Sequence, residues 1–413
     1  MTLDELRHKK VGLCVSGGLD SRTIARKLTD AGIDVLCFSA DLAQPDESDV
    51  GNIKKRMAPC GVTTLIVDLK RPMAEACFEV LKAQAMYDGG YWNTTGIARA
   101  VTVRGLIPEM KKRGCTVLAH GATGRGNDQV RFERYTNALA PAMKVYAPWR
   151  DPVLLAEFPG RSQMVTYLNR MGIKCFTGGK KKYSTDANLA GLSHEAEDLE
   201  SLETPATIVV PTMGVWPPAA PNRVEKVTIR FERARTVKIN GKKVTPLEAM
   251  RLANTIGGRN GLGMKHALEN RIIGTKSRGV YEAPGMELLG QCLQFVYQAT
   301  LDRQAARLFR QLSTLVADQI YDGQYFDPAT RAALVAINSL ARYASGTIQV
   351  GLLKGNIFFQ QLTDCRASLY NPADSSMEES RGLNPVSSQG FVEVQSVEAR
   401  GLARAGQIRG SPS

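Results

Sequence analysis

The chain has 413 residues, enough for a large buried core and for two domains with a cleft between them. A hydrophobic share of 43% and a charged share of 23% are those of a folding globular chain and exclude wholesale disorder or a fibrous repeat. No apolar run approaches the roughly 20 residues that span a bilayer and the N-terminus has no apolar signal core, so the cytoplasm is expected and a membrane is not, while the net charge of +13 asks for an anionic partner.

Lys9 to Val15 (KKVGLCV) reads as a strand, SGGLD as a Gly-rich turn, and SRTIARKLTDAG as a helix ending at Gly32. IDVLCFSADL and VTTLIVDL read as the next strands, with a helix over DVGNIKKRMAPCG between them. A helical stretch from Pro72 to about Tyr87, a helix over TTGIARAVTVRGLIPEMKKRG and a strand over CTVLAHG follow. Strands alternating with helices imply a doubly wound parallel sheet, here over residues 1–168. Beyond Gly172, KCFTGGKKKYSTDANLAGLSHEAEDLES is read as loop, EKVTIRFE and RTVKINGKKV as a hairpin, and the Gly-rich segment 256–285 as turns and loops. Met286 to Tyr321 carries one long helical pattern whose apolar stripe needs a partner, a candidate for self-association. The expected class is α/β: a nucleotide-binding domain, an α+β domain over 169–365 with a C-terminal helical oligomerisation segment, and an extended tail over 366–413. Eight scattered cysteines without a CxxC pair are expected to be free thiols, with no protein-held metal.

The strongest local signal is Ser16-Gly17-Gly18-Leu19-Asp20-Ser21 between a strand and a helix N-terminus. Glycines admit phosphate close to the backbone, where orphan N–H groups and the helix dipole stabilise it. No Lys-Ser/Thr pair closes the loop, so a Walker-type site is disfavoured, as is GxGxxG dinucleotide binding. The bland alternative is a plain strand-to-helix turn capped at Ser16 or Asp20.

The loop resembles the pyrophosphate-binding motif of the PP-loop ATP pyrophosphatases. Gly121 to Glu133 (GATGRGNDQVRFE) resembles the corresponding block of the argininosuccinate synthase family, and Tyr183–Asn188, Ser193-His-Glu195, Glu269-Asn-Arg271 and Lys276–Glu282 resemble later blocks in the same order. The resemblance implies a C–N ligase that joins citrulline and aspartate to argininosuccinate, splitting Mg2+-bound ATP into AMP and pyrophosphate through a citrullyl-adenylate. It also implies a synthetase role for residues 169–365, a homotetramer, and arginine biosynthesis. Carried over by block, Ser16, Gly17, Gly18, Asp20, Ser21, Ala40 and Gly121 would bind ATP. Thr95, Thr123, Asn127 and Asp128 would bind aspartate. Tyr91, Asn127, Arg131, Ser184, Ser193, Glu269 and Tyr281 would bind citrulline, and Asp20, Asp128 and Arg131 are the catalytic candidates. Arg131 suits a carboxylate through its planar fork and Glu269 suits an amino group.

Two positions depart from the family pattern. Arg22 follows Ser21 where many members have a small hydroxyl, and either reaches the phosphates or points outward; Gly96 stands where many have a serine that touches citrulline. His120 and His194 are open between acid/base and structural roles. The rival readings are an aspartate ligase for another ureido or amide acceptor, a tRNA-modifying PP-loop enzyme and a catalytically silent homologue. Catalytic cysteine pairs and stacking aromatics among the basic residues are missing, which argues against nucleic acid as the partner.

Overall fold

A computed structural model describes residues 1–174, 183–378, 382 and 384–408. The chain divides into two compact units, Met1–Arg366 and Ala367–Ser413.

The first unit opens with alternating strands and helices: β1 (Lys10–Cys14), α1 (Leu19–Asp30), β2 (Asp34–Asp41), α2 (Gly51–Met57), β3 (Thr63–Asp68), α3 (Lys70–Ala83), α4 (Thr94–Lys112), β4 (Val117–His120), α5 (Asp128–Leu139), β5 (Lys144–Tyr146), α6 (Pro152–Glu157) and α7 (Arg161–Arg170). The five strands are parallel in the order β3-β2-β1-β4-β5. Such a sheet needs cover on both faces. Val11, Leu13, Ile24, Leu28, Val117 and Leu168 fill one side beneath α1 and α7, and Phe38, Met73, Leu81, Ile97, Val101 and Leu118 fill the other beneath α3 and α4. The strand order reverses between β1 and β4, which leaves a crevice beyond their C-terminal ends.

The rest of this unit is antiparallel: β6 (Ser184–Asn188), β7 (Gly191–Glu195), β8 (Glu225–Glu232), β9 (Arg235–Ile239), β10 (Lys242–Lys243), α8 (Pro246–Arg259), β11 (Met264–Asn270), β12 (Lys276–Glu282), α9 (Pro284–Thr300), α10 (Arg303–Tyr321), α11 (Pro328–Ala341), β13 (Gly346–Leu353) and β14 (Asn356–Thr363). One sheet runs β10-β9-β8-β13-β14 and the other β11-β12-β7-β6. The expected hairpin over 225–244 is present as β8 and β9.

Three expectations are corrected. YSTDAN and LSHE form the β6–β7 hairpin rather than loop, although residues 175–182 of that stretch lie outside the described residues. The Gly-rich 256–285 stretch contains the β11–β12 pair, registered from Met264 opposite Glu282 to Asn270 opposite Lys276. The single helix over Met286–Tyr321 is two helices, because Asp302 is extended and its carboxylate takes the N–H groups of Gln304 and Ala305, starting α10 afresh.

The second unit is not an extended tail. It holds a short helix, α12 (Pro372–Ser375), and an 18-residue helix, α13 (Ser387–Arg404). Among the described residues, no helix is long and apolar enough to cross a membrane.

Candidate active site

A cleft of about 960 Å³ lies beyond the C-terminal ends of β1 and β4. Its first wall is the loop from Ser16 to Ser21. Gly17 adopts φ 76°, which only glycine takes freely, and a Cβ there would lie 2.8 Å from Arg56 Nε. Gly18 precedes α1 without a side-chain cap, so the first N–H groups of the helix keep their capacity for an anion. Ser21 Oγ accepts from Ser16 N at 3.1 Å and holds the loop closed on itself. Burial raises the pKa of Asp20, with the Arg161 charge opposing it.

Arg22 does neither of the things its sequence position suggested. It is 8% exposed, its Nη1 donates to Lys174 O at 3.1 Å, and it lies outside the residues that line the cleft.

The second wall is the Gly121–Asn127 loop and the start of α5. Asp128 is held between two guanidinium groups: Arg99 Nε donates to Oδ2 at 2.9 Å and Arg131 Nη1 to Oδ1 at 3.0 Å. Arg99 continues to Asp186 Oδ2 at 2.6 Å, so one charge network ties α4, α5 and β6 together. Burial works against the Asp128 charge, but Arg99 and Arg131 outweigh it and hold the carboxyl below its usual range. Asn127 is already engaged through both arms of its amide, with Oδ1 accepting from Ile272 N at 3.0 Å and Nδ2 donating to Tyr321 Oη at 2.8 Å. One N–H and one lone pair remain for a ligand.

The antiparallel sheet supplies the third wall. Alternation along β7 turns Ser193 and Glu195 to the cleft and His194 away from it; along β12 it does the same for Tyr281 and Glu282. Glu269 is 4% exposed; the Tyr281 hydroxyl donates to its Oε1, while its Oε2 is buried without a hydrogen-bond partner among the described residues. An unpaired buried carboxylate oxygen is costly and is the natural mate of a ligand's ammonium group. Tyr91 Oη accepts from Thr95 N at 2.8 Å, capping the start of α4.

Every candidate read from the sequence lines this one cleft: the Ser16–Ser21 group with Ala40 and Gly121, then Thr95, Thr123, Asn127 and Asp128, then Tyr91, Arg131, Ser184, Ser193, Glu269 and Tyr281. Sequence reasoning passed over Arg56, Arg99, Asp186, Glu195, Arg271 and Tyr321, which line it too. Arg99 stands one helical turn beyond Thr95, a spacing that places both on one face of α4 and was there to be read. Glu195 is pushed up to about 7 by burial, with the charges of Glu269 and Asp128 adding to the effect.

The two histidines part company. His194 Nε2 lies 2.7 Å from Glu282 Oε1, both residues 1% exposed and outside the cleft lining, a structural pairing. His120 lines the cleft, stacks on Phe132 and is lowered to about 4, chiefly by burial. Ala122 N donates to its Nδ1 at 3.3 Å, so the neutral ring carries its proton on Nε2, which is buried without a partner among the described residues.

The sequence model of the Arginosuccinate synthase N-terminal HUP domain matches residues 10–174, and that of the Arginosuccinate synthase C-terminal domain matches residues 183–402. The chain belongs to the argininosuccinate synthase family. Argininosuccinate synthase of Thermotoga sp. (strain RQ2) is 36% identical over 402 residues, covering 95% of this chain and 97% of its own. Argininosuccinate synthase of Rhodopirellula baltica is 37% identical over 397 residues with the same coverage. The parallel sheet with its Ser16–Ser21 loop falls inside the family's HUP domain, and the antiparallel sheets inside its C-terminal domain.

At Gly96, where many family members carry serine, a Cβ would lie 2.9 Å from Ile320 O. That side of α4 is packed against α10, and Gly96 is not among the cleft residues.

Proposed function

We propose that this ligase joins citrulline and aspartate to give argininosuccinate, consuming ATP and releasing AMP and pyrophosphate. One observation carries the reading: the uncapped start of α1, the paired Asp128–Arg131 and the buried Glu269 carboxylate face a single cleft, so an anion cradle, an amino-acid site and an acceptor site adjoin.

The ureido oxygen of citrulline is a poor leaving group. Attack on the α-phosphorus converts it to an adenylate, which the amine of aspartate then displaces. The Ser16–Ser21 loop receives the phosphates, with Ala40 and Gly121 beside the nucleotide. Thr95, Thr123, Asn127 and Asp128 hold aspartate, with Asp128 on its ammonium. Tyr91, Asn127, Arg131, Ser184, Ser193, Glu269 and Tyr281 hold citrulline, with Arg131 on its carboxylate and Glu269 on its amino group. The residues contribute alignment and charge stabilisation rather than a covalent nucleophile.

Mg2+ belongs to the proposal as an ion carried by the phosphates of ATP. A cytoplasmic location, a homotetramer and the division at residues 1–168, 169–365 and 366–413 complete the reading.

The test incubates the protein with Mg2+, ATP, aspartate and citrulline, leaving out one at a time, while pyrophosphate and product mass are followed. Argininosuccinate formed only in the full mixture is the expected result. Turnover only with another ureido acceptor would reassign the substrate, and salt-sensitive RNA binding without product would favour a tRNA-modifying role.

A further inference from the structure

The geometry points to Tyr321 as a positioning residue of the acceptor site, one that sets Arg131, Asn127 and Glu269 through three different parts of itself. The inference rests on the citrulline roles proposed above and adds a residue to them.

Tyr321 is the last residue of α10 and is 1% exposed, yet it lines the cleft. Its backbone oxygen, left free by the end of the helix, accepts from Arg131 Nε at 2.8 Å. Its hydroxyl accepts from Asn127 Nδ2 at 2.8 Å and bears on the Glu269 carboxylate. Its ring stacks on Tyr87 at 3.7 Å between centroids and lies under the Arg131 guanidinium at 4.9 Å.

These contacts divide the labour. The oxygen on the main chain fixes the plane of the Arg131 fork, so that its two remaining nitrogens address a carboxylate and Asp128. The hydroxyl orients the Asn127 amide and acts on the Glu269 carboxylate. Asn127 and Arg131 come from the part of the chain matched by the family's N-terminal domain, whereas Tyr321 and Glu269 come from the part matched by its C-terminal domain. Tyr321 is thus the side chain through which α10 brings both ends of the acceptor site into one geometry.

Tyr321→Phe removes the hydroxyl and spares the stack on Tyr87, the ring beneath Arg131 and the backbone oxygen. The expected result is a KM for citrulline raised about tenfold, as for loss of one buried hydrogen bond beside a charge, with kcat and the KM for ATP within about twofold of wild type. Tyr325→Phe, which deletes the hydroxyl that meets Glu79, serves as the control and leaves the KM for citrulline unchanged. An unchanged KM for citrulline in Tyr321→Phe overturns the inference, as does an equal loss for all three substrates with a lowered melting temperature, the mark of a purely structural role. Failure of the wild type itself to make argininosuccinate would instead remove the functional reading on which the inference stands.

Discussion

Asp128 Oδ1 accepts from Arg131 Nη1 at 3.0 Å, across a single turn of α5. The residue proposed to hold the ammonium of aspartate therefore also steadies the residue proposed to hold the carboxylate of citrulline, and neither can be altered alone. Arg99 occupies the other carboxylate oxygen, so the three side chains form one electrostatic unit.

Coupling of this kind shows itself as non-additivity. Asp128→Ala should raise the KM for aspartate by at least about tenfold and the KM for citrulline by roughly threefold, and Arg131→Ala should reverse those weights. The double variant should lose less than the product of the single losses. Steady-state kinetics on the four proteins decides the matter, and strictly multiplicative effects would show that the ion pair carries no coupling.

Gly96 gives a second expectation. A Cβ there meets Ile320 O at 2.9 Å and Ile320 Cγ2 at 3.2 Å, so restoring the serine common in the family forces α10 to shift. Overpacking of this size costs about 1–3 kcal/mol. Gly96→Ser and Gly96→Ala should both melt below wild type, and both should raise the KM for citrulline because Tyr321 follows Ile320 directly. A serine variant that binds citrulline more tightly than wild type would show that the helices yield and the hydroxyl finds the ligand.

The buried Glu195 sets a pH dependence. It is faced by Glu269, Asp128 and Asp186, with Arg271 opposing them, and its pKa is raised from 4.5 to about 7. An acid with a raised folded-state pKa binds its proton more tightly in the folded chain. Its cost to stability is absent below about 4.5, grows through neutrality and is constant above about 7. Glu195→Gln removes that cost, so the variant should melt with wild type near pH 4.5 and above it at pH 8. Thermal scans across this range test it; a difference that grows towards acid would contradict the burial argument.

The parallel half of the fold was legible because each of its elements declares itself locally: VGLC and VLCFSA are buried strands, and Gly32 and Gly61 close what precedes them. The antiparallel half was not. Ser184–Asn188 and Met264–Asn270 are polar strands of two local hairpins that become one sheet only through the long-range pairing of β12 with β7 across more than eighty residues of chain, and the glycines beside them read as loop. The break between α9 and α10 was visible in principle, since Asp302 sits where a cap belongs, but the apolar stripe runs on past it. The site residues came from blocks of sequence, which carry loops and their immediate neighbours well. Arg99 was open to reading from its one-turn spacing to Thr95, whereas Tyr321 lies at the end of a long helix outside those blocks and becomes visible only when the helices converge.

The pairing of His194 with Glu282 has a meaning for assembly as well as for packing. Glu282 also accepts from Thr212 N at 2.8 Å and Met213 N at 2.7 Å, so its carboxylate is fully committed at one point between β7 and β12. Sliding β7 by one residue would turn His194 towards solvent and drive Glu195 into the space that His194 fills, setting two carboxylates against each other in a dry interior. His194 and Glu282 are thus a key and its ward: only one alignment of the strands lets them mate, and that alignment alone presents Ser193 and Glu195 to substrate.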